Sequence, residues 1–244
     1  GIVACAGAAT ASSRASVKAL STGDGSWTWL NPLPQGNALS AAAVNGDGVC
    51  VLVGQAGTVL RSADGGITWD SVSSDAGPWL RGVAFGGPSH AWGVGRFGTI
   101  LHTADAGLTW EPQASGSLVY LYATAFAGPR KGWATGYNGT ILRTANGGTT
   151  WKKQASRTRS GLLGVSCADG SRAWAVGQNG TIVRTTDGGR TWRAQRSGVR
   201  ANLNAVAFAG RLRGWVAGDR GSILRSTDGG RTWRRQKSGV SSAI

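Results

Sequence analysis

An all-β fold, a β-propeller of four-stranded antiparallel blades, is predicted by three observations on this 244-residue chain. First, one octapeptide recurs six times: TGDGSWTW at residues 22–29, SADGGITW at 62–69, TADAGLTW at 103–110, TANGGTTW at 144–151, TTDGGRTW at 185–192 and STDGGRTW at 226–233. Second, successive terminal tryptophans stand 40, 41, 41, 41 and 41 residues apart, a fixed period that marks units burying their faces against one another. Third, glycine is abundant (41 residues) and glutamate occurs once, at Glu111, which disfavours long helices and suits short strands joined by turns. The expectation is six repeats of about 41 residues, hence six blades, with seven if the native chain is longer. Residues 1–38 would be a degenerate first blade or a trimmed N-terminal segment, and residues 39–244 five full repeats of one propeller domain.

The last repeat shows the elements in order. Leu203–Ala209 (LNAVAFA) alternates Leu203, Ala205 and Ala207 with Asn204, Val206 and Phe208, a short strand with little charge. Arg213–Gly218 (RGWVAG) is a second strand carrying Trp215, and Ser222–Ser226 (SILRS) alternates as a third. Residues 232–237 (TWRRQK) make a fourth, rich in large and basic side chains. Four short strands per unit match a propeller blade.

Between strands three and four lies the octapeptide. Its acidic position (Asp24, Asp64, Asp105, Asn146, Asp187, Asp228) can accept hydrogen bonds from its own turn, and asparagine in one copy does the same work. A metal or proton-transfer role would not tolerate that exchange so readily. Paired glycines such as Gly188 and Gly189 permit positive φ at the corner. The closing Thr-Trp begins strand four, where the indole covers a seam between blades. A second series, Trp92, Trp133, Trp174 and Trp215, also keeps the 41-residue spacing, with Val51 in the same slot of the first full unit. Ten of the twelve tryptophans therefore have repeat addresses and read as core, leaving Trp27 and Trp79. Trp79 enters a blade, and Tyr120 is its equivalent one repeat later.

The formal charge is +15, carried unevenly: residues 1–129 hold 5 Lys/Arg against 7 Asp/Glu, residues 130–244 hold 21 against 4. Such asymmetry suits either a solubilising surface or a face for an anionic partner. Three cysteines, Cys5, Cys50 and Cys167, indicate neither a disulfide framework nor a metal site. Cys167 occupies the position filled elsewhere by Phe85, Phe126 and Phe208 and reads as a small apolar residue. Cys5, after Ile2-Val3-Ala4, resembles the end of a bacterial lipoprotein cleavage box, without the hydrophobic stretch that would precede it. The absence of methionine suggests a processed, trimmed or partial chain. No apolar run approaches the length of a membrane-spanning helix.

The S/T-x-D-x-G-x-T-W motif resembles the Asp-box of bacterial-neuraminidase-type (BNR) propellers. Coupled to Trp133-Ala-Thr-Gly136-Tyr-Asn-Gly139-Thr-Ile-Leu-Arg-Thr144, it resembles the photosystem II stability/assembly factor family over about residues 16–240. The resemblance implies a non-catalytic propeller without a cofactor, lying outside the cytoplasm or in the thylakoid lumen. It also implies an arginine-rich surface that binds a newly made membrane-protein subunit. Extracytoplasmic placement, in the lumen, the periplasm or secreted, includes lipid anchoring through Cys5 or peripheral attachment to a membrane.

Competing motifs carry less. Gly93-Val-Gly95-Arg-Phe-Gly98 is a literal G-x-G-x-x-G, but it precedes a strand and its equivalents are hairpin turns. Asn138-Gly-Thr140 and Asn179-Gly-Thr181 match glycosylation sequons, yet they too are repeat-equivalent turns. His90 and His102 lack a partner at metal-ligand spacing. A carbohydrate-active or carbohydrate-binding Asp-box propeller is the alternative function. Glycosidases need two carboxylates facing each other across the substrate. Apart from the boxes the chain offers only Glu111, Asp47, Asp70, Asp75, Asp169 and Asp219, scattered over loops and strand ends.

In a four-stranded blade the turn between strands two and three opens on the same face as the link into the next blade. That face would collect Arg96 and Arg220 from turns, and Lys152, Lys153, Arg157, Arg159, Arg193, Arg196, Arg200, Arg234, Arg235 and Lys237 from strand four and the links. With Trp79, Tyr120 and Tyr137 these are the expected partner-binding residues, suited to an acidic or extended segment of a protein partner. The opposite face receives Arg130, Lys131, Arg172, Arg190, Arg211, Arg213 and Arg231. Nucleic acid is a weaker partner, since no recognised nucleic-acid motif accompanies the charge.

Overall fold

The computed structural model describes residues 36–74 and 77–240. The first octapeptide with Asp24, the residues Cys5 and Trp27, and Asp75 lie outside the described residues. Five four-stranded antiparallel sheets follow one another along the chain, each a simple meander. Blade one comprises β1 (Leu39–Val44), β2 (Cys50–Gly54), β3 (Val59–Ser62) and β4 (Asp70–Val72). Blade two comprises β5 (Leu80–Phe85), β6 (Ala91–Gly95), β7 (Ile100–Thr103) and β8 (Glu111–Gln113). Blade three comprises β9 (Leu121–Ala127), β10 (Lys131–Gly136), β11 (Ile141–Thr144) and β12 (Lys152–Gln154). Blade four comprises β13 (Leu162–Cys167), β14 (Ala173–Gly177), β15 (Ile182–Thr185) and β16 (Arg193–Gln195). Blade five comprises β17 (Leu203–Ala209), β18 (Arg213–Gly218), β19 (Ser222–Ser226) and β20 (Arg234–Gln236). The predicted propeller of four-stranded blades is thus observed, with five blades among the described residues.

The first strands β1, β5, β9, β13 and β17 pack successively side by side, and the charged fourth strands lie outermost. The second strands explain the order: β6 and β14 are buried along their whole length, because neighbouring blades cover both of their faces. Each first strand opens with a bulge at its second residue, Ser40, Arg81, Tyr122, Leu163 or Asn204. Each second strand ends on glycine for want of space. A Cβ at Gly95, for example, would collide with the carbonyl oxygen of Trp79.

Four hydrophobic seams hold the blades together. Val51 and Trp110 meet between blades one and two, Trp92 and Trp151 between two and three, Trp133 and Trp192 between three and four. Val176, Val216 and the half-buried Trp233 pack between four and five. Phe126 stacks on Trp92 with ring centroids 3.5 Å apart, and Phe208 stacks on Trp174 at 3.4 Å. Cys167 packs at the equivalent place beside Trp133, its thiol pushed up to about 12 chiefly by burial, as expected of an inert apolar residue.

The reading of all repeat tryptophans as core needs one correction. Trp92, Trp133 and Trp174 are fully buried, whereas Trp215 is 40% exposed. The Trp92 and Trp174 indoles donate to backbone carbonyls of the next blade, at Gly147 and Gly229. Trp215 belongs to the last described blade, and no box of a further blade covers it among the described residues.

Candidate functional site

Backbone hydrogen bonds sort the loops onto two faces. After each second strand comes a tight 3-10 turn or its equivalent, and it bonds to the link entering that blade. Arg96 N–H donates to the Trp79 carbonyl (2.9 Å), Tyr137 to Tyr120 (2.8 Å), Gln178 to Gly161 (3.0 Å) and Asp219 to Asn202 (2.9 Å). On the other face the box turns bond to the hairpins between strands one and two. Ala106 N–H donates to Ser89 (2.7 Å), Gly147 to Arg130, Gly188 to Ser171 and Gly229 to Leu212 (2.9 Å each). The turns and links therefore share a face, as the repeat geometry requires.

On that turn-and-link face, blades two and three build an aromatic and cationic cluster. The Arg96 guanidinium lies 5.1 Å from the Trp79 ring centroid and 5.2 Å from that of Tyr120, so one cation serves two rings. Arg81 lies 5.1 Å from the Trp79 ring. Trp79 is fixed by its indole N–H, which donates to Ser40 Oγ at 2.6 Å across the blade boundary. Phe97 meets Tyr120 edge to face at 5.8 Å, and both Phe97 and Tyr137 are more than half exposed. Phe97 stands in the left-handed region (φ 55°), as does every residue at that turn centre: Ala56, Asn138, Asn179 and Arg220. Asparagine tolerates this conformation, whereas a phenylalanine or arginine there costs free energy.

The other expected partner-binding residues fall into three groups. Arg220 shares the turn centre with Phe97. Arg157, Arg159, Arg196 and Arg200 are exposed on links, with Arg157 at φ 60°. Lys152, Lys153, Arg193, Arg234 and Arg235 belong to the outermost strands, with Lys237 just beyond β20. The structure brings Trp79, Arg96 and Tyr120 into contact and spreads the remaining cations around the rim. Sequence reasoning missed Arg81, because period-two alternation does not account for a bulge that re-aims its side chain.

The boxes themselves are closed units. Asp187 Oδ1 accepts from Thr191 N–H (2.9 Å) and Oδ2 from the Thr191 hydroxyl (2.6 Å), while Thr185 Oγ donates to Oδ1 (2.9 Å) and accepts from Gly189 N–H (2.8 Å). Asn146 repeats the pattern through Oδ1, which accepts from Thr150 N–H at 3.0 Å, and its amide donates to the Thr150 hydroxyl at 3.1 Å. Of the other carboxylates, Asp169 pairs with Arg172 and Arg211 at 2.9 Å each, and Asp219 accepts from Asn202 and Asn204. Among the described residues no three His, Cys, Asp or Glu side chains gather as metal ligands would. His90 Nδ1 and His102 Nε2 share a hydrogen bond of 3.0 Å beside Trp92, and burial first, then His90, lowers the pKa of His102.

Fold and boxes together define an Asp-box β-propeller. Its likeness to the photosystem II assembly-factor family is borne out: residues 154–241 match the family model described as photosynthesis system II assembly factor YCF48. Two solved structures of that kind resemble the whole array. A structure of YCF48 bound to D1 peptide aligns with TM-score 0.59 at 20% identity, over 83% of this chain and 82% of that one. YCF48 from Cyanidioschyzon merolae aligns with TM-score 0.57 at 22% identity, over 86% and 88%. The GH74 enzyme of Niastella koreensis shares the fold with TM-score 0.62 at 20% identity, but the match takes in only 31% of that larger chain. No curated protein sequence matches the chain.

Proposed function

We propose that this protein is a non-catalytic assembly-factor propeller whose turn-and-link face binds an acidic or extended segment of a membrane-protein subunit, as YCF48 binds a D1 peptide. The observation that carries the proposal is the cation of Arg96 set against both Trp79 and Tyr120 on that face. Exposed rings offer stacking area at small entropic cost, and guanidinium groups offer forked donors to carboxylates and peptide carbonyls. Arg157, Arg159, Arg196, Arg200 and Arg220 extend the same chemistry around the face. Placement in the thylakoid lumen, as the family likeness implies, would bring the face to newly inserted subunits. Among the described residues no helix is long and apolar enough to cross a membrane.

The glycosidase alternative is disfavoured by the carboxylates. The described box acids are consumed by their own turns, Asp169 and Asp219 are held by neighbours, and Asp70 and Glu111 open outermost strands of different blades. Among these described carboxylates no two are set facing each other for acid and base work.

Capture of a synthetic D1 peptide by the immobilised protein tests the proposal. Arg96→Ala should weaken capture by about tenfold, the loss of one charge-assisted contact, and charge reversal of Arg196, Arg200 and Arg234 together should abolish it. Retention unchanged in both variants would refute the reading.

A further inference from the structure

The outermost strands carry a progression that neither the fold nor the proposed face requires. In each blade the first residue of strand four sits directly opposite the third residue or its equivalent in strand three: Arg61 with Asp70, His102 with Glu111, Arg143 with Lys152, Arg184 with Arg193, Arg225 with Arg234. Blades one and two oppose a base to an acid. Blades three to five oppose two cations, an arrangement that destabilises an antiparallel pair unless something offsets it.

Between blades three and four this anomaly lies in a cleft of about 530 Å³, lined by Arg143, Lys152, Lys153, Arg190, Asn146 and Thr150 among others. No lining residue is a carboxylate. The place where other boxes hold their acid is here occupied by Asn146. At the equivalent positions one blade earlier stand Asp105 and Glu111, and one blade later Asp187. Among the described residues both ion pairs are made by Asp169, with Arg172 and Arg211, so none of the four cations of the cleft has an acidic partner. The Arg143 Nε–H is buried and without a hydrogen-bond acceptor, whereas its counterpart Arg61 donates to the Ala106 carbonyl at 2.8 Å. A charged donor left unsatisfied at a buried position is costly. A merely solubilising surface would disperse its cations and leave them to water.

We propose that the cleft between blades three and four binds a tetrahedral oxyanion, a phosphate or sulfate group. Such a group has several acceptor oxygens and can take a guanidinium fork and two ammonium groups at once. It would also relieve the repulsion between Arg143 and Lys152. The site is separate from the turn-and-link cluster and stands whether or not that cluster binds a peptide.

Thermal unfolding and titration calorimetry of the full chain test this with sodium phosphate and sodium sulfate at low millimolar concentration, against sodium chloride at matched ionic strength. The expected result is a saturable rise in Tm with phosphate or sulfate beyond that with chloride. Low concentration keeps general salting effects small. Lys152→Glu copies the His102 and Glu111 arrangement. It should raise Tm in chloride and weaken phosphate binding by more than about tenfold. Arg190→Ala, an exposed change at a box turn, should weaken phosphate binding with little effect on Tm in chloride. A stronger response to O-phosphoserine than to inorganic phosphate would assign the site to an esterified group, the reverse to the free ion, and either supports the proposal. Equal effects of phosphate, sulfate and chloride would overturn it, as would a saturable phosphate response retained in both variants.

Discussion

At the scale of single residues, the box acid is an anchor for backbone. Burial works to raise the Asp187 carboxyl, but the Thr191 hydroxyl and amide and the Thr185 hydroxyl hold it down at about 2. Asp105 and Asp228 behave alike, and in Asp64 the Thr68 hydroxyl leads in holding the carboxyl well below the usual range. Each folded pKa is depressed, so the stabilisation is present above the ordinary value of 3.8 and is lost as pH falls toward about 2. Asn146 keeps the bond from the Thr150 amide to Oδ1 and reverses the one to the hydroxyl, donating from Nδ2 where Asp187 accepts at Oδ2, all without a charge, which separates hydrogen bonding from ionisation. Replacing Asp187 by Ala should cost about 1–2 kcal/mol in urea denaturation at neutral pH, the range of a lost cap. Asp187→Asn should cost less than about 1 kcal/mol and should flatten the acid limb of the stability curve.

At the scale of elements, links and turns show where the repeat accepts strain. The αL position of a link is filled by Gly116, Gly198 and Gly239 in three blades and by Arg157 in blade three, at φ 60°. Arginine there gives up about 1 kcal/mol relative to glycine. Arg157→Gly should therefore raise stability by roughly that amount while weakening capture of the D1 peptide. A variant both less stable and equally retentive would show that the arginine has a packing role. Alignment of the repeats exposes this substitution in the sequence, because three glycines and one arginine share an address. The bulge that turns Arg81 toward Trp79 was not legible in the same way, since its register depends on cross-strand pairing.

At the scale of the whole molecule, stability resides in the seams. Trp133 is fully buried between blades three and four, whereas Trp215, at the same repeat address, is 40% exposed. Trp133→Ala should cost about 3–5 kcal/mol and Trp215→Ala less than about 1.5 kcal/mol, as measured by denaturation of the full chain. Equal costs would mean that Trp215 is covered in solution. The four strands of each blade, the box turns and the two faces were all readable from a 41-residue period, because each repeat is a local unit whose pattern needs no knowledge of its neighbours; against the six blades expected, the described residues form five. The charge asymmetry between the two halves was equally plain. What tertiary structure alone decided is which side chains from different repeats meet: Arg96 between Trp79 and Tyr120, and Arg143 opposite Lys152 in a cleft without an acid. Such meetings depend on strand register and on the angle between packed blades, which periodicity along the chain does not encode.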